Sequence, residues 1–529
     1  MKSKIVENWL TKVTELTFTI PFSQLLLSEG KRVIHISSQG PMEQGKDIIA
    51  VDDTGMVHCY QLKWGNVNAR VWGEIKSEID QLVELPPRHP SLPNVVDRWD
   101  AYLVTNGDIA NPTARDIYDY AEIKKKRGHQ PLKTIGGKEL LARFIEHYDE
   151  FLPVDVVDLQ RFLELYNQHG DFELISDRYK LFFESFFRDR QNNSRQKKIE
   201  AIRASLVMCN YLLTHKYSQE NHVEIIKAYV LLLASIYEFA ESQALDERLW
   251  RDSEGLVYEA IDVEFRQLID DLVAHEHHYV QVEYGMLSEA VAHKIRCSEL
   301  VGYVGAYRNF CALRGVDPYK SEQLDEIAST LYKSRALLGE CFVPFFVNHI
   351  VSLGRSNRDA SAAQAVFELL TAIIECHRRD DSRGLPTPYY SYAECVKWTL
   401  GHDAEIRESF RWRSFTLRSV MLLAVKYDLR DELDYYWPTL SQISQQEMIP
   451  ANSHDYFLWR MEDGAQSDAF PDATQSWATL VTDASADYSD VFPAVLKRRK
   501  HFLPLLVNVM PHRFNHRFVL SMLNGRGEG

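Results

Sequence analysis

From about residue 155 onward, apolar positions recur every three or four residues. The segments 159–166, 179–187, 223–240, 256–273, 324–338 and 362–376 each gather large side chains on one face of a 3.6-residue turn. The pattern predicts an all-α region over 151–529, with no fixed-period repeat. Polar stretches punctuate it. Residues 188–198 predict a loop or linker, and 380–388 and 462–472, rich in Asp, Gly, Ser and Pro, predict further breaks.

The first 150 residues are patterned differently. Helices are predicted over 4–16 and 22–28, and a strand over 33–37. Two apolar stretches, 48–51 and 56–63, are then separated by Asp52-Asp53-Thr54-Gly55. Asp and Gly there supply a hairpin turn. Helix 70–83, buried strand 101–105, helix 110–126, strand 132–135 and helix 138–148 follow. After the leading helices the order is β-β-β-α-β-α-β-α, a mixed sheet flanked by helices. The chain reads as an α+β/α multidomain protein. A sheet-bearing domain spans 1–150, and a helical region spans 151–529 with internal boundaries near 188–198 and 380–388.

Composition adds exclusions. The 529 residues hold material for about three domains. With 45% apolar and 26% charged residues, the chain is not a disordered polymer. The 60 Lys and Arg face 75 Asp and Glu, a net charge of −15, which argues against coating nucleic acid through a general positive field. The excess is uneven. Residues 1–150 carry 19 basic and 21 acidic side chains, against 41 and 54 in the rest. The seven cysteines include no Cys-x-x-Cys pair, so reduced core thiols are expected, not disulfides or a cysteine zinc site. Glu7 lies close to the start with no apolar run after it, so no standard signal peptide is predicted. The longest apolar run, about 228–237, is shorter than the ~20 residues of a membrane span. A cytoplasmic protein without a membrane partner is expected.

The hairpin carries the sharpest chemistry. With Thr54 as the turn centre, positions 47 and 61 are equally distant and face each other. Gln61 and Lys63 are two apart and share a strand face. A carboxylate, an amide oxygen and an ammonium thus converge at one sheet end, which suits a hard-metal phosphodiester site. Asp47 and Gln61 offer oxygens to Mg²⁺ or Mn²⁺. Lys63 is placed to orient water or to stabilise developing negative charge. One carboxylate holds such an ion weakly, so a further acidic ligand is expected among Glu43, Glu29 and Glu15. On spacing alone, a solvated turn aspartate and an exposed strand face are the commoner reading.

The surrounding motifs occur in a set order: Leu25-Leu-Leu-Ser-Glu-Gly30, Gln44-Gly-Lys-Asp47-Ile-Ile, Tyr60-Gln-Leu-Lys63-Trp, Leu103-Val-Thr-Asn-Gly107 with Ala114-Arg-Asp, and Thr134-Ile-Gly-Gly-Lys-Glu-Leu140. In these, residues from about 22 to 148 resemble the Mrr-like branch of the PD-(D/E)xK restriction-endonuclease superfamily, whose members commonly carry Gln-x-Lys. The resemblance implies a restriction-endonuclease-like fold, with Asp47 as metal-binding aspartate, Gln61 at the second motif position and Lys63 as catalytic lysine. Two departures stand out. The loop 39–47 lacks the family's Gly-Asp-Gly-Gly-x-Asp form, and Gln24 sits near the place of the family's helical glutamate.

The resulting expectation is a metal-dependent endonuclease acting on DNA. By analogy it serves as an effector of prokaryotic restriction or anti-phage defence, gated by homo-oligomerisation or by a defence-system partner. Lys31, Arg32, Lys46, Arg70 and Lys76 are the candidate nucleic-acid contacts. A catalytically inactive nuclease-fold scaffold that binds nucleic acid or a partner protein, and an RNA nuclease, remain alternatives. Two other clusters read as solvated faces, His275-Glu-His-His278 and Lys497-Arg-Arg-Lys500, while Lys124-Lys-Lys-Arg127 reads equally as a phosphate contact or as a plain helix end.

Overall fold

Caps and turns set the element boundaries at the front of the chain. A computed structural model describes residues 2–37, 44–92, 96–148, 151–152, 156–171, 173–275, 287–378, 384–401, 412–448, 450, 452–460, 469–470, 476–486 and 492–524. The first helix, α1 (Lys2–Lys12), ends before Thr14. Thr14 caps α2 (Glu15–Ser28): its hydroxyl accepts from the Thr17 amide, and the Thr17 hydroxyl accepts from the Thr14 amide at 2.9 Å. The predicted helix 4–16 is therefore two helices. The predicted break before residue 22 is absent, and Pro21 lies inside α2. A proline in a helix interior costs about 3 kcal/mol. Burial of Phe18, Phe22, Leu25 and Leu26 offsets it, at roughly 1.5–3 kcal/mol per large apolar side chain.

Five strands follow the predicted order: β1 (Arg32–Ile36), β2 (Ile48–Val51), β3 (Val57–Lys63), β4 (Trp99–Thr105) and β5 (Leu132–Ile135), adjacent in that sequence. The first three pair antiparallel; β3–β4 and β4–β5 pair parallel. Each parallel step needs a crossover, supplied by α3 (Ala69–Glu84) and α4 (Asn111–Lys126). The closing helix is α5 (Gly137–Tyr148).

Alternation along β3 divides the two faces. Val57 and Cys59 enter a core with Trp72, Ile75, Ile79 and Leu82 of α3 and Ile117 and Tyr120 of α4. Tyr60 points the other way, edge-on to Phe22 of α2 at 5.3 Å. By the same period, Gln61 and Lys63 lie on the α3 face. Beyond β4, the Asn106 side chain accepts from the Gly65 amide and donates to the Leu10 carbonyl, each at 2.7 Å. It ties the exits of β3 and β4 to the end of α1.

The helices after residue 150 are α6 (Val156–Tyr166), α7 (Ser176–Arg188), α8 (Arg195–Leu212), α9 (Thr214–Tyr217), α10 (His222–Ser242) and α11 (Arg251–Ala274). The polar stretch 188–198 holds the end of α7, a connection, and the start of α8 capped by Ser194. Contacts divide the chain into two compact units, 1–236 with 243–264, and 237–242 with 265–529. The unit holding the sheet thus extends beyond residue 150. Trp9 of α1 packs on Phe144 of α5 at 5.1 Å and on Tyr211 of α8 at 4.8 Å.

The second unit contains α12 (Leu287–Leu313), α13 (Ser321–Lys333), α14 (Val343–Arg355) and α15 (Asp359–Arg378), followed by shorter helices. It is not all-α. Strands β6 (Arg413–Ser414), β7 (Ser444–Gln446) and β8 (Ala469–Phe470) form a small mixed sheet. Two- and three-residue strands are too short to show a period of two, so the pattern could not reveal them. No helix among the described residues is long and apolar enough to cross a membrane. All seven cysteines are free thiols.

Candidate active site at the end of the hairpin

The hairpin register follows from its turn. Gly55 takes a φ of +83°, and the Asp52 carboxylate accepts from the Thr54 and Met56 amides. Ile48 then faces Tyr60, which puts Asp47 opposite Gln61. Asp47 is held through backbone and side chain. Its amide donates to the Tyr60 carbonyl at 2.8 Å, and its carbonyl accepts from the Ser37 amide at 2.7 Å. Asp47 Oδ2 accepts from Leu62 N at 2.6 Å and from Gln61 Nε2 at 2.8 Å. Gln61 is buried, and its Oε1 has no hydrogen-bond partner among the described residues. A buried carbonyl-type oxygen left so is an unmet demand.

Lys63 extends from the same strand face. Its Nζ lies 2.9 Å from Glu78 Oε2 and 3.5 Å from Glu15 Oε1. Glu15 opens α2 directly after its cap, whereas Glu78 sits in mid-α3. Gly45 explains how α3 comes so near. It has a φ of +68°, and a Cβ there would stand 2.2 Å from the Glu78 carbonyl oxygen. Only glycine lets the turn before Asp47 lie against α3 at that point.

Charge is concentrated here. Burial would lower the Lys63 pKa, but Glu15, Glu78 and Asp47 outweigh it and raise it. The Glu15 carboxyl is raised by burial, with Lys63 opposing and Glu78 adding. One ammonium therefore serves two carboxylates directly, and both remain partly exposed, at 43% and 45% of their side chains.

The donor set fits a hard cation: the Asp47 carboxylate, the unpartnered Gln61 Oε1 and the oxygens of Glu15 and Glu78 are all oxygen ligands. Among the described residues, no three His, Cys, Asp or Glu side chains gather closely enough to hold an ion by themselves. The amide oxygen, solvent and substrate would have to complete the coordination.

The other candidates are placed variously. Glu43 lies outside the described residues. Glu29 is occupied by Arg143, through two contacts of 2.6–2.7 Å, and by Lys31 at 2.7 Å. Arg32, Arg70 and Lys76 are exposed, with Arg70 paired to Glu74. Lys46 is buried, and its ammonium donates to the carbonyls of Gln44 at 2.9 Å and Gln81 at 3.4 Å. Burial lowers its pKa to about 8, although Cys59 opposes the shift. Gln24 is fully buried, with both amide atoms unpartnered among the described residues.

Glu78 is the member that sequence reasoning missed. Its only signal is a carboxylate flanked by the inward-facing Ile75 and Ile79, and an amphipathic helix shows many of those. Elsewhere, Lys124 is taken up by Asp80 and Glu84. Arg499 and Arg513 are buried, so the basic stretch near the C-terminus is partly internal, not a solvated face. Residues 276–278 of the histidine cluster lie outside the described residues. No family model matches this chain, and neither a curated protein nor a solved structure matches it.

Proposed function

We propose that this chain is a metal-dependent endonuclease that hydrolyses DNA phosphodiester bonds at the end of the β2–β3 hairpin. The observation that carries the reading is the meeting of Asp47, Gln61 and Lys63 at one sheet end, with Glu15 and Glu78 on the same ammonium. Asp47 and Gln61, with Glu15 or Glu78, would hold Mg²⁺ or Mn²⁺. Such an ion supplies an activated water and neutralises phosphate charge. The protein side chains position the rest. The Leu62 amide fixes the Asp47 carboxylate. Lys63 keeps its proton, so it acts as a cation that orients water or stabilises charge on the phosphate, not as a base. An arriving phosphate competes with Glu15 and Glu78 for that ammonium.

Arg32, Arg70 and Lys76 are too few to bind a duplex tightly in physiological salt, since affinity grows with the number of phosphates neutralised. Cleavage is therefore gated by self-association or by a partner that adds basic surface. That dependence suits a cytoplasmic effector in prokaryotic restriction or anti-phage defence. A second reading, an inactive nuclease-fold scaffold, is favoured by one contact. Gln61 turns its amide nitrogen, not its oxygen, toward Asp47.

The test incubates plasmid DNA and RNA with the full chain and Mg²⁺ or Mn²⁺, across protein and salt concentrations. Asp47→Asn and Lys63→Met should each reduce DNA cleavage by about 100-fold or more. Cleavage of RNA alone would make the chain an RNA nuclease. No cleavage of either in any condition would leave the scaffold reading. Full activity of an isolated monomer in physiological salt would refute the gating.

A further inference from the structure

The chain has ten tryptophans, and among the described residues Trp64 is the one that stays largely in solvent, at 58% exposure. Trp9, Trp72, Trp99, Trp250 and Trp398 are buried, and the other four are half-buried. A tryptophan ring carries roughly 150–250 Å² of surface that folding could hide. Single exposed apolar residues are ordinary, so exposure alone assigns nothing. The place of this one adds the chemistry. Trp64 directly follows Lys63, at the sheet end where Asp47, Gln61 and Lys63 meet.

The exit of β3 is tied down on the far side of Trp64. The Gly65 amide donates to Asn106 Oδ1 at 2.7 Å, and the Thr105 hydroxyl donates to the Gly65 carbonyl. The Asp108 amide donates to Asn66 Oδ1 at 2.8 Å, and the Val67 amide donates to the Asp108 carbonyl at 3.0 Å. The indole is thus displayed from a backbone held against the exit of β4. Neighbouring Cα atoms are about 3.8 Å apart. A nucleotide whose phosphate lies at the Lys63 ammonium therefore brings its own base, or the next one, within reach of the Trp64 ring.

Charge at this end leaves room for a neutral contact. Arg70, the next cation along the chain, pairs with Glu74 at 2.9 Å, and Lys63 is shared by Glu15 and Glu78. Phosphate contacts are few, so affinity has to come partly from elsewhere. Stacking of an aromatic ring on a base adds it without neutralising a phosphate. Inside an intact duplex both faces of a base are covered by its neighbours, and only an unpaired or splayed base offers a free face.

We propose that Trp64 is a substrate-contacting residue that stacks on an unpaired DNA base beside the scissile phosphate. The preferred substrate is then single-stranded DNA, or a duplex opened at the cut. This rests on the reading of the β3 end as a DNA site and names the form of the strand it takes.

Fluorescence anisotropy on the full chain tests it, with Ca²⁺ in place of Mg²⁺ as a hard cation for the same oxygen donors. The probes are a labelled single-stranded DNA, the same sequence as duplex, and the matching RNA strand. Wild type should bind the single strand more tightly than the duplex, and Trp64→Ala should weaken the single strand at least fivefold. That factor should be equal at low and at physiological salt, because stacking releases no counterions, whereas a lost phosphate contact would flatten the salt dependence. Single-stranded DNA should quench tryptophan emission. Trp64→Phe keeps a ring, so it should retain most of the affinity while abolishing that quench. Neither variant should move the thermal transition, since the side chain is exposed. An equal loss on RNA supports stacking, because every base has a π-face. A loss confined to RNA overturns the assignment to DNA. Absence of single-strand binding by wild type at low salt overturns the proposal, and so does unchanged binding by Trp64→Ala. Cleavage bears on the other reading. Trp64-dependent binding without cleavage in any metal keeps the contact and removes the nuclease, whereas cleavage unaffected by Trp64→Ala keeps the nuclease and removes the contact.

Discussion

The end of β3 and the surroundings of Glu340 handle a partly or wholly buried charge in opposite ways. Lys63 is held by two carboxylates that remain partly exposed. Glu340, fully buried in the second unit, is held by neutral donors: the Phe415 amide at 3.0 Å and the hydroxyls of Ser414 and Thr416. Around Glu340, one buried carboxylate fixes several backbone and hydroxyl groups of the segment leading into the helix Leu417–Lys426. That arrangement answers a structural need. At Lys63 two carboxylates gather on one ammonium, and both remain partly open to solvent. Under the proposed function, reachable charge beside an unpartnered amide oxygen is what a reactive site would carry.

The most severe way to break the comparison is to alter the backbone approach that assembles the hairpin site. Gly45→Ala meets both a positive φ and the Glu78 carbonyl at 2.2 Å. Left-handed strain of about 1–2 kcal/mol and a forced shift of about 1–3 kcal/mol should together destabilise β2–β3 by about 4 kcal/mol. Gly55→Ala shares the positive φ, at +83°, but meets nothing within 4 Å. It should lose only about 1–2 kcal/mol. Hydrogen exchange of the β2–β3 amides in urea measures both. Equal losses would show that the contact with α3 is not what makes Gly45 necessary.

Glu340 gives the next largest effect, and its sign is opposite to that of an ion-paired acid. Burial raises its pKa from 4.5 to about 7, against its hydrogen bonds. Between those values the folded state holds the proton that the unfolded chain has released, so stability falls as pH rises from about 4.5 to 7. The full loss is roughly 3 kcal/mol. Glu340→Gln should flatten this slope in the second unit while leaving the hairpin unaffected. Thermal melts at pH 5 and pH 8 provide the check, and an unchanged slope would mean that another group titrates.

The features legible in the sequence are those set by local period and turn. The five strands, their order along the chain and the 47–61 pairing follow from alternation and from Asp52–Gly55. Asp47, Gln61 and Lys63 could be brought together on paper because one hairpin carries them. Glu78 could not, because its approach depends on how α3 crosses back over β3, and Gly45 alone hints at that closeness. Lys46 looks like a surface cation in sequence, yet its stem and ammonium are buried under α3 carbonyl Gln81. Pro21 looks like a break, but packing carries α2 through it.

The smallest effect tests whether the surplus at Lys63 is what holds its proton. Glu78→Gln removes one of the carboxylates that raise the Lys63 pKa and keeps a hydrogen-bonding side chain at 2.9 Å from Nζ. Both carboxylates are more than a third exposed, so the stability change should stay below about 1 kcal/mol. The titration should move more clearly. With Glu15 and Asp47 remaining, the Lys63 pKa falls toward its ordinary value, and the lysine loses its proton at a lower pH than in the wild type. An NMR titration of the Lys63 ammonium reads this without requiring catalysis, and the alkaline limb of any cleavage profile should shift in the same direction. Glu15→Gln acts on the same ammonium from α2 and should produce a similar downward shift. If neither variant moves the titration, the two carboxylates are bystanders at the surface, and the contrast with Glu340 loses its meaning.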